Sequence, residues 1–181
     1  MTPETFAELH GYRCVAPNGV DPNSQLVPQR DGNEHKLNRH YDARGSLVEL
    51  FRTTWGVFES ELGPNVISQA YLSETMPNVT KGWHLHFEQT DRFICVRGRV
   101  LVVTFDVESD QFTEHVLDQD RPLRVDIPPR TPHGWINIGT NPSVILNLCS
   151  HVYTGKDEWR RAANAGPNKQ AEYDWRQTRD G

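Results

Sequence analysis

Within Lys81-Gly82-Trp83-His84-Leu85-His86, a strand period of two sets His84 and His86 on one face and Trp83, Leu85 and Phe87 on the other. Two imidazoles then converge on one place. Asp91 follows five residues after His86, at the start of the next apolar segment, and His133 follows the rigid run Pro128-Pro129-Arg130-Thr131-Pro132. Three imidazoles and one carboxylate make a set of borderline-soft N and O donors that suits Zn, Fe(II), Mn or Ni and leaves positions open for water or substrate. The same residues also fit a metal-free acid/base pocket, or an idle His-x-His facing solvent. His10, His35, His40, His115 and His151 have no such pairing and read as structural.

The elements that must position this set are short. Residues 46–53, 66–73, 82–87, 93–96, 99–107, 122–127, 135–138 and 143–152 carry β-type patterns bounded by turn residues. Eight such segments predict a sandwich or barrel, with Gly98 in Val96-Arg97-Gly98-Arg99-Val100 as a hairpin turn. Thr2 as N-cap, Pro3 at the first helical position and Gly11 as stop frame a short peripheral helix with Phe6 and Leu9 on one face. The organisation read from this pattern is an N-terminal arm over residues 1–40, a β-barrel over 41–153, and a C-terminal helix (156–163) and polar tail within 154–181. The arm is rich in Pro, Asn, Asp and Gln and is expected to wrap the core or a partner subunit.

Composition limits the partners. The 181 residues hold 19 Lys+Arg and 24 Asp+Glu, a net charge of −5, which argues against binding phosphate backbones by counterion release and hence against nucleic acid. No apolar run exceeds four residues, far below the ~20 of a membrane helix, and residues 1–12 lack a secretory signal, so a soluble cytoplasmic protein with no membrane partner is expected. Cys14, Cys95 and Cys149 have no Cys-x-x-Cys spacing and read as buried reduced thiols. With 36% hydrophobic residues, 12 Pro and 13 Gly, many short elements and a mainly β class are expected.

The run from His84-x-His86 through Asp91 to Gly98 resembles the first motif of the cupins, with Asp in place of Glu, and Pro128 through His133 to Asn137 resembles their second. This resemblance implies an all-β cupin double-stranded β-helix, a jelly-roll barrel with short peripheral helices, and implies that His84, His86, Asp91 and His133 hold one divalent metal ion. Asp42-Ala43-Arg44-Gly45-Ser46-Leu47-Val48-Glu49, Lys81-Gly82-Trp83-His84, Ile127-Pro128-Pro129 and His133-Gly134-Trp135 look like the dTDP-4-dehydrorhamnose 3,5-epimerase family. That likeness implies enolisation of a nucleotide-linked keto sugar, with His84 at the position of the base and Arg44, Glu49, Gln69 and Lys81 where the family meets its substrate. It also implies a homodimer that exchanges N-terminal strands. Trp83 is a further candidate for stacking a base or sugar.

The chain departs from that family at telling positions. The family's catalytic Lys falls at Asp91, its acid Tyr falls near Asn147, and no motif after Trp159 matches the Asp that partners the His. A divalent ion is a chemically sensible replacement for the Lys, because it polarises a carbonyl as a Lewis acid. The metal-binding C-terminal cupins of capsule-sugar reductases and the His-x-His of sugar ketoisomerases are similar here, so the expected reaction is either epimerisation or 3,4-ketoisomerisation. A His84 bound to metal through its lone pair cannot also be a base, and Glu88 is then the candidate base. The alternatives are a mononuclear metal cupin dioxygenase acting on a small organic substrate and a non-catalytic sugar- or metal-binding cupin.

Overall fold

The computed structural model describes residues 2–15, 29–31, 34–36, 39–52 and 67–175. Two antiparallel sheets dominate. The first runs β1 (Arg13–Cys14), β14 (Trp159–Arg160), β7 (Thr80–Leu85), β12 (His133–Asn137), β9 (Arg99–Asp106) and β10 (Gln111–Asp118) in spatial order. The second runs β11 (Arg124–Ile127), β8 (Asp91–Arg97), β13 (Ser143–Cys149), β6 (Gln69–Thr75), β5 (Gly45–Arg52) and β4 (Arg39–Asp42). A separate hairpin pairs β2 (Gln29–Asp31) with β3 (Glu34–Lys36). This is the cupin jelly roll expected from the sequence.

Strand alternation explains how so few apolar residues build it. In β9, Val100 and Val102 pack with Phe93, Ile127, Trp135 and Ile145 between the sheets. Leu101, Val103 and Phe105 point the other way, into a second core with Trp83, Leu85, Trp159 and Trp175. The first sheet is therefore buried on both faces. Helix α1 (Pro3–His10) lies over that outer face, with Ala7 buried and the Phe6 ring 5.5 Å from Phe87; its Thr2 cap, Pro3 start and Gly11 stop are as expected.

Three expectations are corrected. The helix at 156–163 is instead strand β14 followed by a 3-10 turn over Ala163–Ala165. The open edge of β7 captures this segment, and the Trp83 and Arg161 backbones exchange hydrogen bonds of 2.6 and 2.9 Å. Ladder formation plus burial of Trp159 overrides helix propensity. The described part of the tail is also packed, with Asn168 and Trp175 buried. Gly98 is no hairpin turn: β8 and β9 belong to different sheets, and the chain turns a corner there with φ +77, where a Cβ would meet Ser143 at 3.1 Å. Strand β10 escaped the pattern search because it is a sheet edge with Gln111, Thr113 and Glu114 exposed, so its alternation is mostly polar. Residues 16–28, 32–33 and 37–38 of the expected arm lie outside the described residues.

Candidate active site

The ladder between β7 and β12 places His84 opposite His133, and β8 of the facing sheet begins at Asp91. Pro132 hands the chain to β12 so that His133 opens the strand facing inward. The His86 Nε2 lies 3.4 Å and the His133 Nε2 3.2 Å from Asp91 Oδ2, and one donor atom from each of the three residues falls within 4.8 Å of the others. His86 Nδ1 donates to the Asp157 carbonyl at 3.0 Å and His133 Nδ1 to the Thr131 carbonyl at 2.9 Å. A carbonyl only accepts, so each Nδ1 carries a hydrogen, and a neutral ring then turns a bare Nε2 lone pair toward the carboxylate.

Burial alone would raise the Asp91 carboxyl, but the positive charge that His86 and His133 bring when protonated, a hydrogen bond from His133 in that form and the Asn147 amide outweigh it and hold the group below the ordinary carboxylate range. Its Oδ1 accepts from Gln89 Nε2 at 2.7 Å and Asn147 Nδ2 at 2.8 Å. Three electron-rich atoms thus face one another, each fixed from behind by a hydrogen bond. That donor set fits a divalent cation, which His86, Asp91 and His133 would hold.

His84 stands beside this cluster rather than in it. Its Nδ1 lies 3.0 Å from Glu158 Oε1, and Glu158 in turn accepts from Arg160 Nε at 2.9 Å and Nη2 at 3.0 Å. Burial pushes the His84 pKa down to about 4 against the pull of Glu158. Glu158 would be raised by its own burial, yet the hydrogen bond and charge of His84, with the charge of Arg160, take it down to about 2. At neutral pH the carboxylate is ionised and the ring is neutral, with its hydrogen on Nδ1. Its Nε2 is buried and has no hydrogen-bond partner among the described residues. The ring lies nearly parallel to Trp135, at 5.6 Å and 17°.

These groups line a cavity of about 360 Å³ between the sheets, within the range of small-ligand sites. Gln69, Lys81 and Arg44, which the family resemblance implies as substrate contacts, also line it. Gln69 is buried, with Oε1 accepting from the Tyr153 backbone N–H at 2.6 Å, while Arg44 is half-exposed and paired with the Asp42 carboxylate. The Glu49 backbone lies in β5 opposite Tyr71, and its side chain lies outside the described residues. Trp83 and Glu88 do not line the cavity. Alternation turns Trp83 to the outer face, where it is fully buried 5.0 Å from the Trp175 ring and its Nε1 donates to the Ala163 carbonyl. Glu88 is exposed on a turn whose backbone N–H groups, from Phe87 to Gln89, are gathered by the Asp157 carboxylate.

Lys81 is buried with Nζ donating to Ser73 Oγ at 2.9 Å and the Glu74 carbonyl at 2.7 Å. Burial, with the Arg44 charge adding to it, lowers its pKa to about 8. Between that value and the ordinary lysine pKa the unfolded chain binds the proton that the folded chain has lost, so stability from this group rises with pH over that window. The change is on the order of 3 kcal/mol. Urea denaturation of the protein and of Lys81→Met at pH 7.5 and 10.5 should show the gap between them shrinking by that order; a constant gap would refute the low pKa.

Sequence reasoning missed Glu158, Arg160 and the pairing of Tyr71 with Asn147. Asp157-Glu158-Trp159-Arg160 carried the signal, since two ionic residues flank a buried aromatic at a period of two, the same pattern as His84-Leu85-His86. Tyr71 lies opposite Asn147 in the β6–β13 ladder, and its hydroxyl accepts from Asn147 Nδ2 at 2.9 Å.

Residues 40–158 match the polysaccharide biosynthesis C-terminal domain. The chain is 35% identical over 142 residues to a probable low-salt glycan biosynthesis epimerase of Haloferax volcanii, covering 75% of this chain and 85% of that protein. It is 23% identical to a UDP-2-acetamido-2,6-beta-L-arabino-hexul-4-ose reductase of Pseudomonas aeruginosa, matching 75% of this chain but 34% of the reductase. In structure it is similar to the capsular polysaccharide assembling protein CapF of Staphylococcus aureus, with a TM-score of 0.59 and 24% identity over 69% of this chain and 34% of that one. It is also similar to a dTDP-4-dehydrorhamnose 3,5-epimerase of Elizabethkingia anophelis, with a TM-score of 0.53 and 20% identity over 78% of this chain and 79% of that one. These two likenesses show the shared jelly roll. The matched region runs from within β4 to the residue before β14 and carries every residue of the cluster together with His84 and Glu158, so the chain belongs to the polysaccharide biosynthesis C-terminal domain family.

Proposed function

We propose that this protein is an epimerase or isomerase of a nucleotide-linked keto sugar, working by removal of the proton next to the carbonyl. The observation that carries the reading is the His84–Glu158 pair: a buried neutral imidazole in the cavity wall whose outer hydrogen is held by an ionised carboxylate and whose other ring nitrogen has no hydrogen-bond partner among the described residues. Support for an epimerase reading comes from the likeness to the probable low-salt glycan biosynthesis epimerase of Haloferax volcanii.

In this mechanism His84 Nε2 takes the proton on the carbon beside the ketone. The C–H electron pair moves into the carbonyl to give an enolate. Glu158 stabilises the imidazolium that forms, and Arg160 holds Glu158 in place through two parallel hydrogen bonds. A divalent ion held by His86, Asp91 and His133 would supply Lewis-acid polarisation of a carbonyl oxygen. Arg44 at the half-exposed rim, and Lys81 deeper in, are the cations for a diphosphate. The cytoplasmic homodimer expected from the sequence remains part of this proposal.

The test is hydrogen exchange. Incubation with dTDP- and UDP-linked 4-keto-6-deoxyhexoses in D2O should replace the proton beside the ketone with deuterium, read by NMR. Binding of both compounds without exchange would leave a binding protein and sink the enzymatic reading; oxygen uptake on turnover would point to dioxygenase chemistry instead.

A further inference from the structure

Inversion at carbon requires two groups on two sides, since a base that returns its own proton restores the starting configuration. His84 stands on β7 of the first sheet. A proton donor for the other side has to come from the facing sheet, where β6 and β13 line the cavity with Tyr71.

The hydrogen bonds around Tyr71 leave its phenolic hydrogen available. Asn147 Oδ1 accepts from the Arg92 backbone N–H at 2.9 Å, and this fixes which end of the amide is which. Its Nδ2 must then be the end that meets Tyr71 Oη at 2.9 Å and Asp91 Oδ1 at 2.8 Å. Both amide hydrogens are thereby spent, one on each partner. The phenol is an acceptor in this contact, and its own O–H hydrogen bonds to no acceptor recorded among the described residues. Burial keeps the phenol protonated, pushing its pKa well above the ordinary tyrosine value.

We propose that Tyr71 is the catalytic proton donor that completes epimerisation from the side opposite His84, and that Asn147 is the positioning residue that aims its hydroxyl. The assignment rests on the enolisation reading above. In balance, the C–H bond breaks toward His84 Nε2 and leaves its electron pair on the enolate. The enolate carbon then takes the Tyr71 hydrogen on its other face, and the carbonyl reforms. The imidazolium and the phenolate left behind return to their starting forms by exchanging one proton through water after product leaves. Asn147 also ties the donor to Asp91, so one amide sets both the phenol and the carboxylate.

The experiment follows exchange and inversion separately by NMR in D2O, with dTDP- and UDP-linked 4-keto-6-deoxyhexoses as probes. The wild-type protein should give an epimer carrying deuterium. Tyr71→Phe should still exchange the proton beside the ketone, with retention, while inversion falls at least about 100-fold, the usual worth of a positioned acid. Asn147→Ser keeps the phenol but not its aim, and should lower the ratio of inversion to exchange in the same direction by about 10-fold. Melting curves and dTDP binding report that each variant is folded, and the Asn147 variant carries the test should Tyr71→Phe fail to fold. Inversion by Tyr71→Phe at the wild-type rate, or exchange without any inverted product in the wild type, would overturn the role of Tyr71 while leaving enolisation standing. Absence of exchange in the wild type would overturn both.

Discussion

Glu158→Gln should lower turnover of the keto sugar on the order of 10³-fold or more while leaving the fold and the cavity intact. The argument is one of hydrogen bookkeeping. Arg160 Nε and Nη2 can only donate, and both now point at the Glu158 carboxylate. With an amide in its place, Arg160 claims the single oxygen and the NH₂ turns to His84 Nδ1. That nitrogen must then accept, so the ring hydrogen moves to Nε2, and the lone pair that should take the substrate proton is gone. In serine proteases the corresponding Asp-to-Asn change lowers turnover by about 10⁴ through the same wrong tautomer. Steady-state rates, with the exchange of the proton beside the ketone as a second readout, check the expectation. Full activity in the variant would remove His84 from the role of base, because its tautomer would no longer matter.

The site was legible in the sequence where local pattern and geometry coincide. His84-x-His86 is a period-two signature, Asp91 opens a strand, and His133 follows a proline-stiffened turn, but it is the cupin resemblance, and not spacing alone, that implies the four belong to one site. Glu158 could not be read that way. It lies just before the two-residue strand β14, where only Glu158 and Arg160 carry the period of two, and the surrounding Lys, Asp, Glu and Arg residues fit a helix just as well. Only the unpaired edge of β7, a property of the folded sheet, makes that segment extended. Trp83 shows the reverse failure. The alternation that separates it from His84 was visible, but the core formed by Trp175, Tyr173 and Phe112 on the outer face requires residues far along the chain. Gly98 marked a turn correctly, yet nothing local distinguishes a hairpin from a corner between two sheets.

The second large effect concerns metal. Protein purified without an affinity tag should carry close to one equivalent of Zn, Fe, Mn or Ni by elemental analysis, and His86→Ala, Asp91→Ala and His133→Ala should lose it, each weakening affinity by more than the 10- to 100-fold typical of an outer hydrogen-bond partner. His84→Ala should keep it. The difference follows from where each ring's hydrogen is held. His86 and His133 donate their Nδ1 hydrogens to carbonyls, leaving Nε2 directed at Asp91, whereas His84 spends its Nδ1 hydrogen on Glu158, outside the cluster. Without a cation, two lone pairs facing one carboxylate at 3.2 and 3.4 Å repel unless a ring takes up a proton, so the cluster costs stability by itself. Chelation should therefore destabilise the fold as well as empty the site, by about 2.7 kcal/mol if free metal had stood at 100 times its Kd. Urea denaturation with and without chelator measures this independently of any activity. Metal lost equally from His84→Ala would return His84 to a four-ligand site and leave the base to be found elsewhere. Metal absent from every sample would mean that Asp91 is balanced by a protonated imidazole, and that the enolate must be stabilised by the cavity's own donors.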